Sequence, residues 1–241
     1  MAEQGIEVVS YEALAAEYYD SAKHPTCANF GLASRRLLCP LLDVTFMSGD
    51  RICEVGPGRS SVAEWLHGRG EKLNQLILVE SSRGMARYSQ GWVNAGAQLF
   101  HADARRMPLK DSSVSIVVAS LGDPYNDLAF WREARRVLKR NGVVLFTTPA
   151  FEWAEGFRGS NGNAVDLAEF ELSDGRLVGV PSLVRAENDQ LSMIRDSGLD
   201  VVKIAHATVH DLAGERLSSK LVTEKRRDHR PIVTAYFAVA E

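Results

Sequence analysis

Apolar residues in this chain gather into short unbroken runs, separated by stretches in which they recur every three to four positions. Leu76-Ile-Leu-Val79, Val114 to Ser120 and Val143 to Thr148 are runs rich in β-branched side chains, the pattern of strands buried on both faces. The segment from Arg51 to Val55 reads the same way, and weaker runs near 97–101, 199–209 and 232–240 predict further strands. Helical spacing predicts helices over about 11–20, 29–42 and 60–68, another starting at Ser81-Ser82 with Met85, Tyr88 and Trp92, and a last one over 187–197. A helix over 127–140 carries Leu128, Phe130, Trp131, Ala134, Val137 and Leu138 on its apolar side, and Asn141-Gly142 should end it. Alternation on either side of Asp174-Gly175 predicts a hairpin within 169–180. Strands that alternate with helices imply an α/β sheet covered on both faces.

The stretch from Arg51 to Ser61 is a strand, a glycine turn and a helix start, because Gly56 and Gly58 let the backbone turn sharply and approach a ligand. About twenty residues further on, Glu80 ends the next strand, where a carboxylate receives ribose hydroxyls. Glu54 lies two residues before the first glycine, and a carboxylate there would repel the pyrophosphate of a dinucleotide while suiting a cationic ligand. Ser61 stands where the dinucleotide fingerprint has its third glycine, which further disfavours a nicotinamide cofactor.

From about Gly49 to Gly142 the chain resembles the class I S-adenosylmethionine-dependent methyltransferases. The match lies in the acid-x-Gly-x-Gly turn of Glu54, Gly56 and Gly58, in Gly49-Asp50, Glu80, Asp103-Ala104 and the Val137 to Gly142 segment. The resemblance implies a doubly wound, Rossmann-like α/β fold with a seven-stranded, mostly parallel sheet and an antiparallel last strand. It also implies S-adenosyl-L-methionine as cofactor and S-adenosyl-L-homocysteine as product. The implied cofactor contacts are Glu54, Gly56, Gly58, Ser60, Glu80, Ser81, Met85, Asp103, Ala104 and Ser120, with Met85 and Ala104 on the adenine and Asp103 on its amino group. Ser60 or Ser61 can also cap the helix after the turn, and the Ser120 end of its strand faces the crevice where open α/β sheets bind ligands. The residues Tyr19-Asp20 are implied to close over the methionine end.

Composition adds bounds. A 241-residue chain with 45% hydrophobic content can bury one large core, so a single domain is expected. Its parts would be a helical N-terminal lid (1–45), a cofactor-binding core (46–150), an acceptor-side insertion (151–185) and a C-terminal helix with two strands (186–241). No apolar run of eighteen residues and no leader pattern stands out, so a cytoplasmic protein without membrane contact is expected. Cys27, Cys39 and Cys53 lack metal-ligand spacing and read as reduced packing residues, and no metal site is expected. A net charge of −3 gives no general attraction to nucleic acid. Arg105-Arg106 reads as solvated charge.

Methyl transfer from a sulfonium needs in-line positioning of a nucleophile, with a base only if that nucleophile carries a proton. Candidates to hold or deprotonate the acceptor are Tyr19, Asp20, His24, Asp123 and Tyr125. Asp123-Pro124-Tyr125 is similar to a motif of nucleobase amino methyltransferases, so nucleic-acid methylation is the competing reading, and a non-catalytic cofactor-binding module is a third. The loop with Arg216, Lys220, Lys225, Arg226, Arg227 and Arg230, near His210 and His229, is locally basic and points to a small, anionic acceptor. The sequence does not set the oligomeric state.

Overall fold

The computed structural model describes residues 6–156, 166–222 and 230–241. A short strand β1 (Glu7–Val8) and a single turn of helix α1 (Tyr11–Leu14) lead to the long helix α2 (Pro25–Thr45). Pro25 occupies the first turn of α2, where a missing N–H costs nothing. The next units are β2 (Ile52–Val55), α3 (Ser61–Gly68), β3 (Leu76–Val79), α4 (Arg83–Ala86), α5 (Gln90–Asn94) and β4 (Gln98–Phe100). They are followed by β5 (Val114–Ala119), α6 (Leu128–Val137), β6 (Leu138–Pro149) and α7 (Phe151–Ala154). The chain closes with β7 (Leu167–Glu171), β8 (Leu177–Pro181), α8 (Glu187–Asp196), β9 (Asp200–Ala207) and β10 (Val233–Val239).

Seven strands form one sheet in the order β4-β3-β2-β5-β6-β10-β9. Only β10 runs against its neighbours, pairing antiparallel with both β6 and β9. The order reverses between β2 and β5, which opens a crevice beyond the carboxyl ends of these strands. The two-residue side-chain period divides the core. Ile52, Leu76, Leu78, Ile116, Val118 and Leu145 face α2 and α3, while Cys53, Val55, Ile77, Val117, Val144 and Phe146 face α6 and α8. A separate three-stranded sheet, β1-β8-β7, packs Val178 and Val180 on Leu14 and so joins the hairpin to the N-terminal segment.

Several element boundaries differ from the sequence expectations. Helix 11–20 is reduced to Tyr11–Leu14, after which the chain continues in turns, and Asp20 folds its carboxylate onto the Ala22 amide (2.9 Å). In contrast, α2 is longer than expected at both ends and continues through the exposed Pro40. The expected helix after Ser82 is broken into α4, a 3-10 turn and α5, where buried Ser89 bonds the Gly58 carbonyl. Helix α6 stops at Val137, before the Asn141-Gly142 signal. Leu138 is fully buried opposite Val114 and already extended, and the Asn141 N–H goes to the Ala240 carbonyl (2.7 Å) instead of a helical acceptor. The hairpin forms where expected, with β7 and β8 antiparallel around Asp174-Gly175. Most of the Gly- and Asn-rich segment before it, and Lys225, Arg226, Arg227 and His229, lie outside the described residues.

Candidate active site

The glycine turn leaves β2 with Gly56 (φ 59°) and Gly58 (φ 50°) in the left-handed region, followed by Ser60 (φ 59°) in the same strained region. Space is short at Gly58 and tight at Gly56. A Cβ on Gly58 would lie 1.8 Å from the Tyr19 hydroxyl oxygen, and one on Gly56 3.0 Å from that of Tyr125. Ser60 caps α3, accepting from the Ala63 amide (3.0 Å), and donates to the Glu54 carboxylate. Glu54 is fully buried and also accepts from the Ser61 hydroxyl (3.3 Å) and the Val62 amide (3.4 Å). Burial pushes its pKa up to about 7. Glu54 and Gly58 therefore support the turn from behind and do not reach the surface of the crevice, which Gly56 and Ser60 do.

That crevice is a cavity of about 1090 Å³. One wall is formed by Glu80, Ser81, Met85, Asp103 and Ala104 from the ends of β3 and β4. Glu80 is buried, which raises its pKa, and its carboxylate accepts from the Ser82 amide (2.9 Å). The Asp103 carboxylate accepts from the Arg105 amide (2.7 Å) and stays half open to the cavity. Ala104 is buried, and among the described residues its amide N–H has no acceptor.

The opposite wall comes from the N-terminal segment, α2 and the strand β5. Tyr11, Tyr18 and Tyr19 line it together with Cys27, Ala28, Gly31 and Leu32 of α2, and Ser120 and Leu121 after β5. Tyr19 reaches across the turn, where its hydroxyl accepts the Arg59 amide (3.0 Å) and its ring lies under the Arg59 guanidinium at 4.4 Å. Burial raises the Tyr19 phenol to about 12, so it stays protonated near neutral pH. Cys27 is likewise held as a neutral thiol, pushed up to about 12 by burial.

The structure does not bring the acceptor candidates together. Tyr19 and Tyr125 line the cavity, whereas Asp20, His24 and Asp123 do not. Asp20 is turned to the amides of its own loop. His24 is buried with its ring edge-on to Phe170, 5.5 Å between centroids. Asp123 is buried and accepts from the Ser182 hydroxyl (2.6 Å), and Tyr125 donates to the Val55 carbonyl (2.8 Å). Arg105, read as solvated, is instead a cavity residue paired with Asp127 (2.7 Å) and near Asp103 (3.5 Å). The sequence reading missed Tyr11, Glu12 and the α2 stripe 27, 28, 31, 32, 35. That stripe repeats at helical spacing and was visible as a pattern, but not as a wall.

Residues 53–146 match a family described as a methyltransferase domain. No curated protein sequence matches the chain. Among solved structures, the chain is similar to the partner of a methyltransferase activator in a Haloferax volcanii complex, with a TM-score of 0.67 at 14% identity over 96% of each chain. An S-adenosylmethionine-dependent methyltransferase from Mesorhizobium loti aligns with a TM-score of 0.59 at 18% identity, over 83% of this chain and 96% of that one. The geranyl diphosphate C-methyltransferase of Streptomyces coelicolor A3(2), solved with Mg2+, geranyl diphosphate and S-adenosyl-L-homocysteine, aligns with a TM-score of 0.61 at 14% identity, over 86% and 78%. These likenesses establish the fold, and the family match places a methyltransferase domain over residues 53–146, which span the glycine turn and the strands around it.

Proposed function

We propose that this enzyme methylates a small, largely apolar molecule held beside the cofactor in the cavity between the glycine turn, α2 and the N-terminal segment. The observation that carries this reading is the composition of the acceptor-side wall: Tyr11, Tyr18, Cys27, Ala28, Gly31, Leu32, Leu121 and Pro181 surround a space too confined for a duplex. S-adenosylmethionine supplies an already activated methyl group, so the protein has to align the two molecules and exclude water. The residues fit this cofactor. Glu80 is a buried carboxylate suited to ribose hydroxyls, and Asp103 can accept from the adenine amine while the unengaged Ala104 N–H donates to a ring nitrogen. The turn from Gly56 to Ser60, with Tyr19 above it, would hold the amino-acid end. Glu54 would act through Ser60 and the start of α3.

The described part of the basic loop gives an anionic acceptor no support, since Arg216, Lys220 and Arg230 do not line this cavity. The cations that do line it include Arg35 and Arg105, both ion-paired, and Arg59, stacked on Tyr19. The nucleobase reading is disfavoured on geometry. The Asp123 carbonyl accepts from the Leu183 amide (2.7 Å) and its carboxylate from Ser182, while the Tyr125 ring packs on Phe130 (5.0 Å) and its hydroxyl is spent on Val55. These groups are used within the fold. Among the described residues no helix is long and apolar enough to cross a membrane.

The test is release of S-adenosylhomocysteine across a panel of phenols, amines, thiols and carboxylic acids, run beside DNA and RNA oligonucleotides. Saturable turnover of a small molecule, insensitive to salt, is expected. Steeply salt-dependent oligonucleotide methylation that disappears in Asp123→Ala would establish the competing reading.

A further inference from the structure

Three hydroxyls form a chain that ends at the cavity. Ser34, in the middle of α2, lies 2.7 Å from Ser120 and 2.7 Å from Thr147 on β6. Thr147 Oγ1 also accepts the backbone N–H of Leu121 (2.9 Å), a non-glycine residue held at φ 53°. Ser34 and Thr147 are completely buried, whereas Ser120 lines the cavity.

The direction of this chain follows from counting hydrogens. Each hydroxyl carries one hydrogen, and two contacts join the three oxygens. Among the described residues neither Ser34 nor Thr147 has any other acceptor within reach. If Ser120 donated to Ser34, one of the two buried hydroxyl hydrogens would be left without an acceptor, which costs more than a hydrogen bond returns. The arrangement that satisfies both is Thr147 donating to Ser34 and Ser34 donating to Ser120. The Ser120 hydrogen is then left over, and since no other acceptor among the described residues bonds it, it is free for the cavity that Ser120 lines.

We propose that Ser120 is a preset hydrogen-bond donor in the active site, oriented by Ser34 and Thr147, which takes a carbonyl or carboxylate oxygen of a bound ligand. The assignment rests on the proposed methyltransferase cavity and deepens it. The oxygen belongs either to the carboxylate of the cofactor or to the methyl acceptor, where it would be a second polar atom beside the nucleophile and would set selectivity. Ser34 is a positioning residue, because it touches Ser120 and lines no part of the cavity.

The experiment uses the whole protein and three probes. S-adenosylhomocysteine is titrated by calorimetry, and acetophenone and ethylbenzene are titrated by NMR into protein saturated with it. The last two have nearly the same shape and differ in the carbonyl oxygen. Ser120→Ala is expected to weaken one ligand by about 3- to 10-fold, the return on a single hydrogen bond, and Ser120→Thr is expected to restore it. A loss for S-adenosylhomocysteine places the cofactor carboxylate at Ser120. A loss for acetophenone, with ethylbenzene unchanged, places an acceptor oxygen there. Ser34→Ala should reduce the same ratio without touching the ligand, a change that mere loosening of α2 would spread over all three probes. If Ser120→Ala alters neither S-adenosylhomocysteine affinity nor the acetophenone-to-ethylbenzene ratio, the donor assignment is wrong while the methyltransferase reading stands. If wild-type protein fails to bind S-adenosylhomocysteine, that reading falls and the assignment with it.

Discussion

Glu54 has no solvent and no cationic partner among the groups that bond it, only hydroxyls and backbone amides, and burial pushes its pKa up to about 7 from the ordinary 4.5. The folded state therefore keeps this proton more tightly than the unfolded chain. The resulting stability is fully present below about pH 4.5 and is lost as pH rises through about 7. Its size is at most on the order of 3 kcal/mol. Comparing the thermal stability of the wild type and Glu54→Gln from pH 4.5 to 8 should show the difference moving against the wild type across that window and levelling off above it. A flat difference would mean that Glu54 titrates normally. Asp103 gives a second prediction at this scale. Its carboxylate remains half open, so Asp103→Ala should weaken S-adenosylhomocysteine by about 1 kcal/mol, near the low end for a lost polar partner. Calorimetry reads that change directly, and unchanged affinity in a folded variant would place the adenine elsewhere.

At the scale of elements, the turn after β2 and the Tyr19 that crosses it form one unit, since the Tyr19 hydroxyl occupies the position a side chain on Gly58 would need. Gly58→Ala should expel Tyr19 and weaken S-adenosylhomocysteine by about tenfold or more, the sum of a strained backbone and a lost wall. The fold, followed by circular dichroism, should survive. Helix α2 shows the opposite case. Gly31 lies within the helix, and a Cβ there would meet nothing within 4 Å, because its face is open to the cavity. Gly31→Ala should therefore stabilise the protein by about 0.5–1 kcal/mol, the ordinary helical cost of glycine. Gly31→Leu should fill the acceptor side and abolish turnover of the larger acceptors, with cofactor affinity unchanged in a parallel titration.

For the whole molecule, the important joint is between the N-terminal segment and the rest. The Glu12 carboxylate accepts from the Ser82 hydroxyl (2.7 Å) and the Gly84 amide (2.9 Å), and these bonds lower its pKa. Glu17 accepts from the Ser173 amide (3.1 Å) at the hairpin turn. Two carboxylates thus hold one segment, which carries Tyr11, Tyr18 and Tyr19, against both the cofactor side and the hairpin. The double variant Glu12→Ala, Glu17→Ala should raise the acceptor KM and make residues 6–24 sensitive to limited proteolysis, while the melting of the seven-stranded sheet is barely changed. Unaltered KM and unaltered cleavage would show that the segment is held by apolar packing alone.

The sheet was legible in the sequence because buried parallel strands leave continuous apolar runs and helices leave a 3.6-residue period, and both are local properties of the chain. The glycine turn was legible for the same reason: Gly56 and Gly58 are needed where the backbone itself is left-handed. What the tertiary structure decided was which side chains meet across distance. Asp123 and Tyr125 look exposed and reactive in the sequence, yet they are committed to Ser182 and Val55 because the 3-10 turn after β5 is pulled under the glycine turn. Arg105 looks solvated, yet Asp127 of the α6 cap draws it to the cavity rim. Nothing local marks Tyr11, the α2 stripe or the Thr147-Ser34-Ser120 chain as parts of one site, since each depends on segments far apart in sequence packing onto one crevice. Local periodicity and backbone strain determined the sheet and its glycine turn. Long-range packing decided the wall that faces them across the cavity.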